Sequence, residues 1–153
     1  MSLEKLTTVL DTLESHIQNQ DTSNTKISKE NIAWHIDHSL KVINNVSTAL
    51  KTSDPNTYSN NFSLLGKVFF TLGFFPRGKA QAPKHVKPPE IILKKDLIAQ
   101  INEAKANIAT IGSLDKNAHF KHPIFGNVST KRVPRFLIMH TTHHLKIIND
   151  ILK

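Results

Sequence analysis

The chain contains no cysteine. Disulfides, thiolate zinc sites and cysteine nucleophiles are thereby excluded. Long apolar runs are missing too. The longest, residues 68–75, is interrupted by Thr71 and Gly73 and falls far short of the roughly 20 residues that cross a bilayer. Residues 1–20 alternate apolar and polar positions at helical spacing and do not form the apolar block of a signal peptide. A soluble, cytoplasmic protein with no membrane association is the expectation. Acidic residues are scarce: 12 Asp and Glu stand against 20 Lys and Arg, a net charge of +8. Such an excess invites a nucleic-acid reading, because basic surfaces attract phosphate. The charges are nevertheless spread along the whole chain. Their one concentration, Arg77, Lys79, Lys84, Lys87, Lys94 and Lys95 around four of the seven prolines, has no interleaved aromatic residues to stack bases. A solvated basic loop is the preferred reading, and nucleic acid is not an expected partner.

With 153 residues the chain fits one domain, 1–153, able to bury roughly 70% of its unfolded surface without a staple. A first helix is predicted over residues 3–18, with Ser2 as N-cap and Leu6, Val9, Leu10, Leu13 and Ile17 on one stripe. Residues 21–25 read as a loop. Ser28 offers the N-cap of a second helix reaching residue 51. Its main stripe is Ile32, Ile36, Leu40, Ile43 and Leu50, widened by Val42 and Val46, with Asp37, Lys41, Asn44 and Thr48 on the wet face. A short apolar helix over 62–72 is ended by Gly73. A long Pro- and Lys-rich connection, 76–89, follows. Pro88 and Pro89 then introduce a helix over 90–111, ended by Gly112. After a linker, Ser129 or Thr130 caps a last helix that runs to the C-terminus. With Thr130 as cap, Pro134 is the fourth helical residue and removes no intrahelical bond. Four long amphipathic helices without a strand pattern give an all-α class, a four-helix bundle with one short extra helix.

Nine histidines require an explanation. At 100° per residue, Val133, Phe136, His140, His144, Ile147 and Ile151 fall within about 40° of one direction. His140 and His144 therefore interrupt the apolar stripe at its centre. Two imidazoles in an aliphatic seam need hydrogen-bond partners, and four-residue spacing lets both grip one ion. A pair supplies only two ligands, so a third should come from another helix. His35 and His38 are both available in the second helix: His35 falls towards Val42 and Val46, His38 between that side and Asn45. Periodicity does not choose between them. His143 lies off the stripe beside Asp150. His16 near a helix end, His85 in the basic loop, and His119 and His122 in the linker are weaker candidates.

Three segments carry a family resemblance: the Ala-Trp-His-Ile-Asp-His run at 33–38, the His-Pro-Ile-Phe-Gly run at 122–126, and the His-Thr-Thr-His-His run at 140–144. With the helix order they make the chain resemble the DinB/YfiT-like superfamily of metalloenzymes, in a little-characterised branch. The resemblance implies a four-helix bundle with a metal held between helices, and often a homodimer. It implies ligands at the positions matching His38, His140 and His144. Better-known members carry Gly-Gln soon after the paired histidines, where this chain reads Leu-Lys-Ile-Ile from Leu145. The resemblance therefore carries the triad and not a particular reaction.

Three neutral imidazoles leave a divalent ion its full charge and at least one open position. Zinc and nickel suit imidazole best, and iron is compatible. Such an ion acidifies a bound water, polarises a carbonyl or holds a substrate thiolate. No general base is evident: Asp37 is expected on the wet face, and Glu30, Asp150 and His143 are candidates by proximity alone. His35 and His122 could orient a ligand or a substrate group. One reading is a metal-dependent enzyme, a hydrolase or a transferase using a low-molecular-weight thiol, with the basic loop gathering an anionic cosubstrate. The other is a non-catalytic metal-binding or interaction protein whose ion is structural.

Overall fold

Leucines at 6, 10 and 13 repeat at helical spacing, and all three are fully buried on α1 (Ser2–Ser15). The computed structural model describes residues 2–78 and 81–153. Beyond α1 it contains α2 (Ile32–Thr52), α3 (Leu64–Leu72), α4 (Lys94–Ile111), a hairpin of β1 (His119–His122) and β2 (Gly126–Ser129), and α5 (Val133–Ile151). The four long helices close into a ring around one core, α2 against α4 and α5, and α1 against those same two. Ile32, Ile36, Leu40, Ile43 and Leu50 of α2 meet Leu97, Ile101 and Ile111 of α4 and Leu137 of α5 in that core. No described helix is long and apolar enough to cross a membrane.

The helical class is as expected, and several boundaries differ. Ser2 lies inside α1 and does not cap it, and the helix tightens into a 3-10 turn from His16 to Asn19. Asn31, not Ser28, caps α2, accepting from the Trp34 N–H at 2.9 Å. Asp37 and Asn44, expected to be wet, are buried. Asp37 pairs with Lys41 and accepts from Gln100 Nε2 at 2.8 Å. Asn44 bonds to the Gln100 carbonyl and to the Asn107 amide. A polar seam with α4 thus replaces solvent on that side of α2.

Pro88 and Pro89 do not begin α4, which starts at Lys94. Residues 90 and 91 form a bend, and Leu93, in extended conformation, is the residue before the helix. The 76–89 connection is not structureless: Lys84–Val86 forms a 3-10 turn that buries Val86. Lys79 lies outside the described residues. Gly73 does end α3, in the left-handed conformation at φ 76°.

The hairpin was not expected. Its antiparallel register pairs Phe120 with Val128 and His122 with Gly126. Ser129 consequently lies in a strand, Arg132 precedes α5 without a side-chain cap, and Pro134 falls in the first two helical positions. Seven phenylalanines gather over the hairpin, α3 and the start of α5. Phe62, Phe69, Phe70, Phe75, Phe120, Phe125 and Phe136 make ring contacts with one another at 5.0–6.5 Å between centroids.

Gly126 closes the hairpin turn at φ 75°, and a Cβ there would stand 2.5 Å from the Asn61 carbonyl oxygen. Gly126→Ala should cost about 2–3 kcal/mol, or about 5–10 °C in Tm. Gly78 has a similar φ of 70° with nothing within 4 Å of its Cβ position, so Gly78→Ala should cost only about 1 kcal/mol. Thermal melts of the two variants test this, and equal shifts would contradict the Asn61 clash.

Candidate metal centre

Helix α2 presents His38 and helix α5 presents His140 and His144 to one point. One ligand atom from each lies within 4.8 Å of the others, and no other such set of His, Asp or Glu exists among the described residues. The ring centroids stand 4.8–5.1 Å apart. His38 and His144 are buried and His140 is half-buried. Trp34 stacks on His38 at 5.1 Å, and Phe136 stacks on His140 at 6.1 Å.

The hydrogen bonds decide which nitrogens are free. A carbonyl only accepts, so the 2.8 Å contact between His38 Nδ1 and the Val86 oxygen puts the hydrogen on Nδ1. Nε2 of His38 is then a bare lone pair. The Nδ1 atoms of His35 and His144 lie 3.0 Å apart, and His35 Nε2 is 3.0 Å from Ser28 Oγ. If His144 donates from Nδ1, its Nε2 is free for an ion, and His35 passes its own hydrogen on to Ser28. Ser28 Oγ takes the Glu30 N–H at 3.1 Å on one lone pair and has a second for His35. His140 Nδ1 is buried and meets no hydrogen-bond partner, a costly state for a polar atom. A bare nitrogen on His38, a second on His144 in that tautomer, and a buried His140 nitrogen without a partner make a donor set that a divalent cation would satisfy.

Burial sets the protonation. It pushes His140 and His144 well below the ordinary imidazole range, and the neighbouring imidazoles push the same way. Burial also lowers His38, against the opposing effects of the Val86 carbonyl and Asp37. It lowers His35 to about 4, helped by His38, His143 and Arg77. The ligands are therefore neutral at neutral pH, the form that binds metal.

The other candidates separate cleanly. His35 has both ring nitrogens engaged and orients His144. His143 Nδ1 donates to the Phe75 carbonyl at 3.0 Å, and its ring stands edge-on to His144 at 5.1 Å. His122 Nδ1 accepts the N–H groups of Ile124 and Phe125. Its hydrogen is thus on Nε2, and burial lowers its pKa to about 4. Asp37 is committed to Lys41 and Gln100, and Asp150 to Arg77 and Lys153. Neither stands as a general base. Glu30 is exposed at the turn before α2. His119 bonds to the Asn117 carbonyl beside Tyr58, while His16 and His85 lie outside the cluster. The Val86 carbonyl was not foreseen. Its only trace in the sequence is a lone apolar residue in a Lys- and Pro-rich stretch. No protein-family model, curated protein or solved structure matches the chain.

A hydrogen bond from His144 Nδ1 to His35 would hold His144 in the ligating tautomer, so His35→Phe should weaken divalent-metal affinity by about 10–100-fold. Competition with a chromogenic chelator measures this, and unchanged affinity would remove His35 from the site. Acid should also destabilise the metal-free protein. In the unfolded chain these histidines protonate near 6.5, whereas folded His35 and His122 do so only at about 4. Between those values the unfolded state binds more protons, so stability is full above about pH 6.5 and falls as pH drops towards 4. Calorimetry of chelator-treated protein should show Tm declining from pH 7 to 5; a flat Tm over that interval contradicts the shifts.

Proposed function

We propose that this protein is a divalent-metal-dependent enzyme of the DinB/YfiT-like type, acting as a hydrolase or as a low-molecular-weight-thiol transferase. The observation that carries the reading is the ligand count. Three imidazoles converge, and His35, a fourth imidazole beside them, has both nitrogens in hydrogen-bond contacts. Three protein ligands with a position left over is the arrangement of catalytic zinc sites, while structural sites close all four. The ring of four long helices, with ligands from α2 and α5, supports the same family reading.

His38, His140 and His144 would hold the ion, and the all-imidazole set suits zinc or nickel. A bound ion would supply Lewis acidity towards water, a carbonyl or a thiol. The chain's own groups then have separate tasks. Val86 and His35 fix the ligand tautomers. Trp34 and Phe136 wall the site with apolar rings, which keeps water from competing. His122 keeps a hydrogen on Nε2, linked to His140 through the Phe136 ring. That hydrogen is the one it could offer to a substrate group. The burial of His38 and His144 favours one alternative, an ion that only ties α2 to α5.

Elemental analysis of purified protein should find about one divalent metal per chain, lost in the His140→Ala, His144→Ala double variant. Equal metal in both proteins would overturn the site. Thiols offered with electrophilic acceptors, and activated esters offered alone, should turn over in the metal-loaded protein and stop on chelation. A loaded protein inert in every assay would favour the structural ion.

A further inference from the structure

A second candidate site lies at the start of α5, built from residues the metal centre does not use. A cavity of about 420 Å³ is lined by Lys116, Lys131, Arg132 and Arg135, together with Tyr58, Phe70 and the polar Asn60, Asn117 and Ser129. It is an open depression in the surface and not an enclosed pocket. No carboxylate lines it. The ion pairs of the described residues involve Lys41, Arg77, Lys105 and Lys153, and none of these four cations.

Both guanidinium groups are positioned by uncharged partners. Arg132 lies 4.5 Å over the Phe62 ring, with Nη1 at 3.4 Å from Tyr58 Oη and Asn60 Oδ1. Arg135 donates through Nε and Nη2 to the Phe70 carbonyl. Neither contact neutralises charge. Asp115, the nearest acid in sequence, turns its Oδ1 to the Asn117 N–H at 2.7 Å. The α5 terminus adds to the same sign. Lys131, Arg132 and Arg135 crowd the positive end of the helix dipole, its first turn holds no acid, and no side chain caps it. Four cations of like charge at such a place repel one another, and an anion relieves that repulsion.

We infer that this cavity binds a small anion of two or more negative charges, with a diphosphate group the chemistry that matches it. Each guanidinium keeps N–H groups beyond these contacts for phosphate oxygens, while two flexible lysines approach as point charges. The source of the group is either a soluble phosphorylated compound or a lipid headgroup. The exposed apolar side chains Leu64, Leu65, Val68 and Leu72 of the neighbouring α3 bear on the second.

The test uses the full chain carrying His140→Ala and His144→Ala, so that a probe cannot act by chelating a metal and the outcome is independent of the metal reading. Calorimetric titration with inorganic pyrophosphate should show one site whose affinity falls as salt rises. In parallel, sedimentation with phosphatidylcholine vesicles, with and without phosphatidic acid, reads the lipid arm. Adding Lys116→Glu and Lys131→Glu, both exposed positions, should weaken whichever binding is seen by about tenfold or more. Lys116→Ala with Lys131→Ala should give a smaller loss, which guards against misfolding of the charge-reversed protein. Pyrophosphate binding assigns a soluble ligand, and binding only to phosphatidic acid vesicles assigns a headgroup. Absence of both, or binding indifferent to the four lysine substitutions, overturns the site.

Discussion

A neutral imidazole carries one donor and one acceptor, and neither can be left bare in an apolar seam without penalty. The structure between α2 and α5 follows from meeting that requirement several times over. His38 gives its hydrogen to Val86, which draws a 3-10 turn of the long connection down onto α2. His144, His35 and Ser28 form a chain of contacts whose end is anchored by the Glu30 N–H. Ser28 lies three residues ahead of the position that caps α2, which Asn31 holds. What is left over is the set of nitrogens that face one another at the triad. The site is a remainder of the hydrogen-bond network as much as a product of the helix faces.

That dependence explains how far the site could be read from the sequence. A helical stripe gives the direction of a side chain, and direction alone places His140 and His144 inside. It does not name partners. His35 and His38 point to neighbouring sectors of α2, and what separates them is that one finds a backbone carbonyl 48 residues away while the other finds Ser28 and His144. Asp37 and Asn44 went astray for the same reason. Their polar character is real, but Gln100 and Asn107 of α4 satisfy it in place of water. The hairpin was invisible because two four-residue strands carry no measurable alternation, and much of their support comes from Asn61 and Ser63 in a distant loop. The helix count needed none of these long-range partners, and it was legible throughout.

The surplus of positive charge shows a related contrast. In the sequence it concentrates around the prolines of the long connection. In space, Arg77 of that connection is taken up by Asp150, and the feature of the connection that reaches the core is the uncharged Val86. Another set of cations without ion pairs, Lys116, Lys131, Arg132 and Arg135, is brought to one depression by the hairpin and the start of α5. Charge density along a chain is a poor guide to charge density on its surface when a hairpin folds two segments together.

A candidate divalent-cation site on α5 and α2 and a cluster of four cations at the start of α5 form an arrangement that electrostatics would oppose at close range. Their spacing removes most of the conflict. Arg132 and His140 are eight residues apart, about 12 Å along the axis of α5. Lys116, Lys131 and Arg135 are exposed, so their fields decay through solvent over about 8 Å at physiological ionic strength. The intervening turn carries Phe136, packed on Phe120, Phe125 and His122, and so adds no further charge. Two cations do reach His35 and His38, Arg77 acting on His35 and Lys41 on His38, and both hold carboxylates, Arg77 that of Asp150 at 2.7 Å and Lys41 that of Asp37. Pairing Arg77 with Asp150 lowers the net positive field next to three neutral ligands, and so leaves them able to accept the charge of an ion.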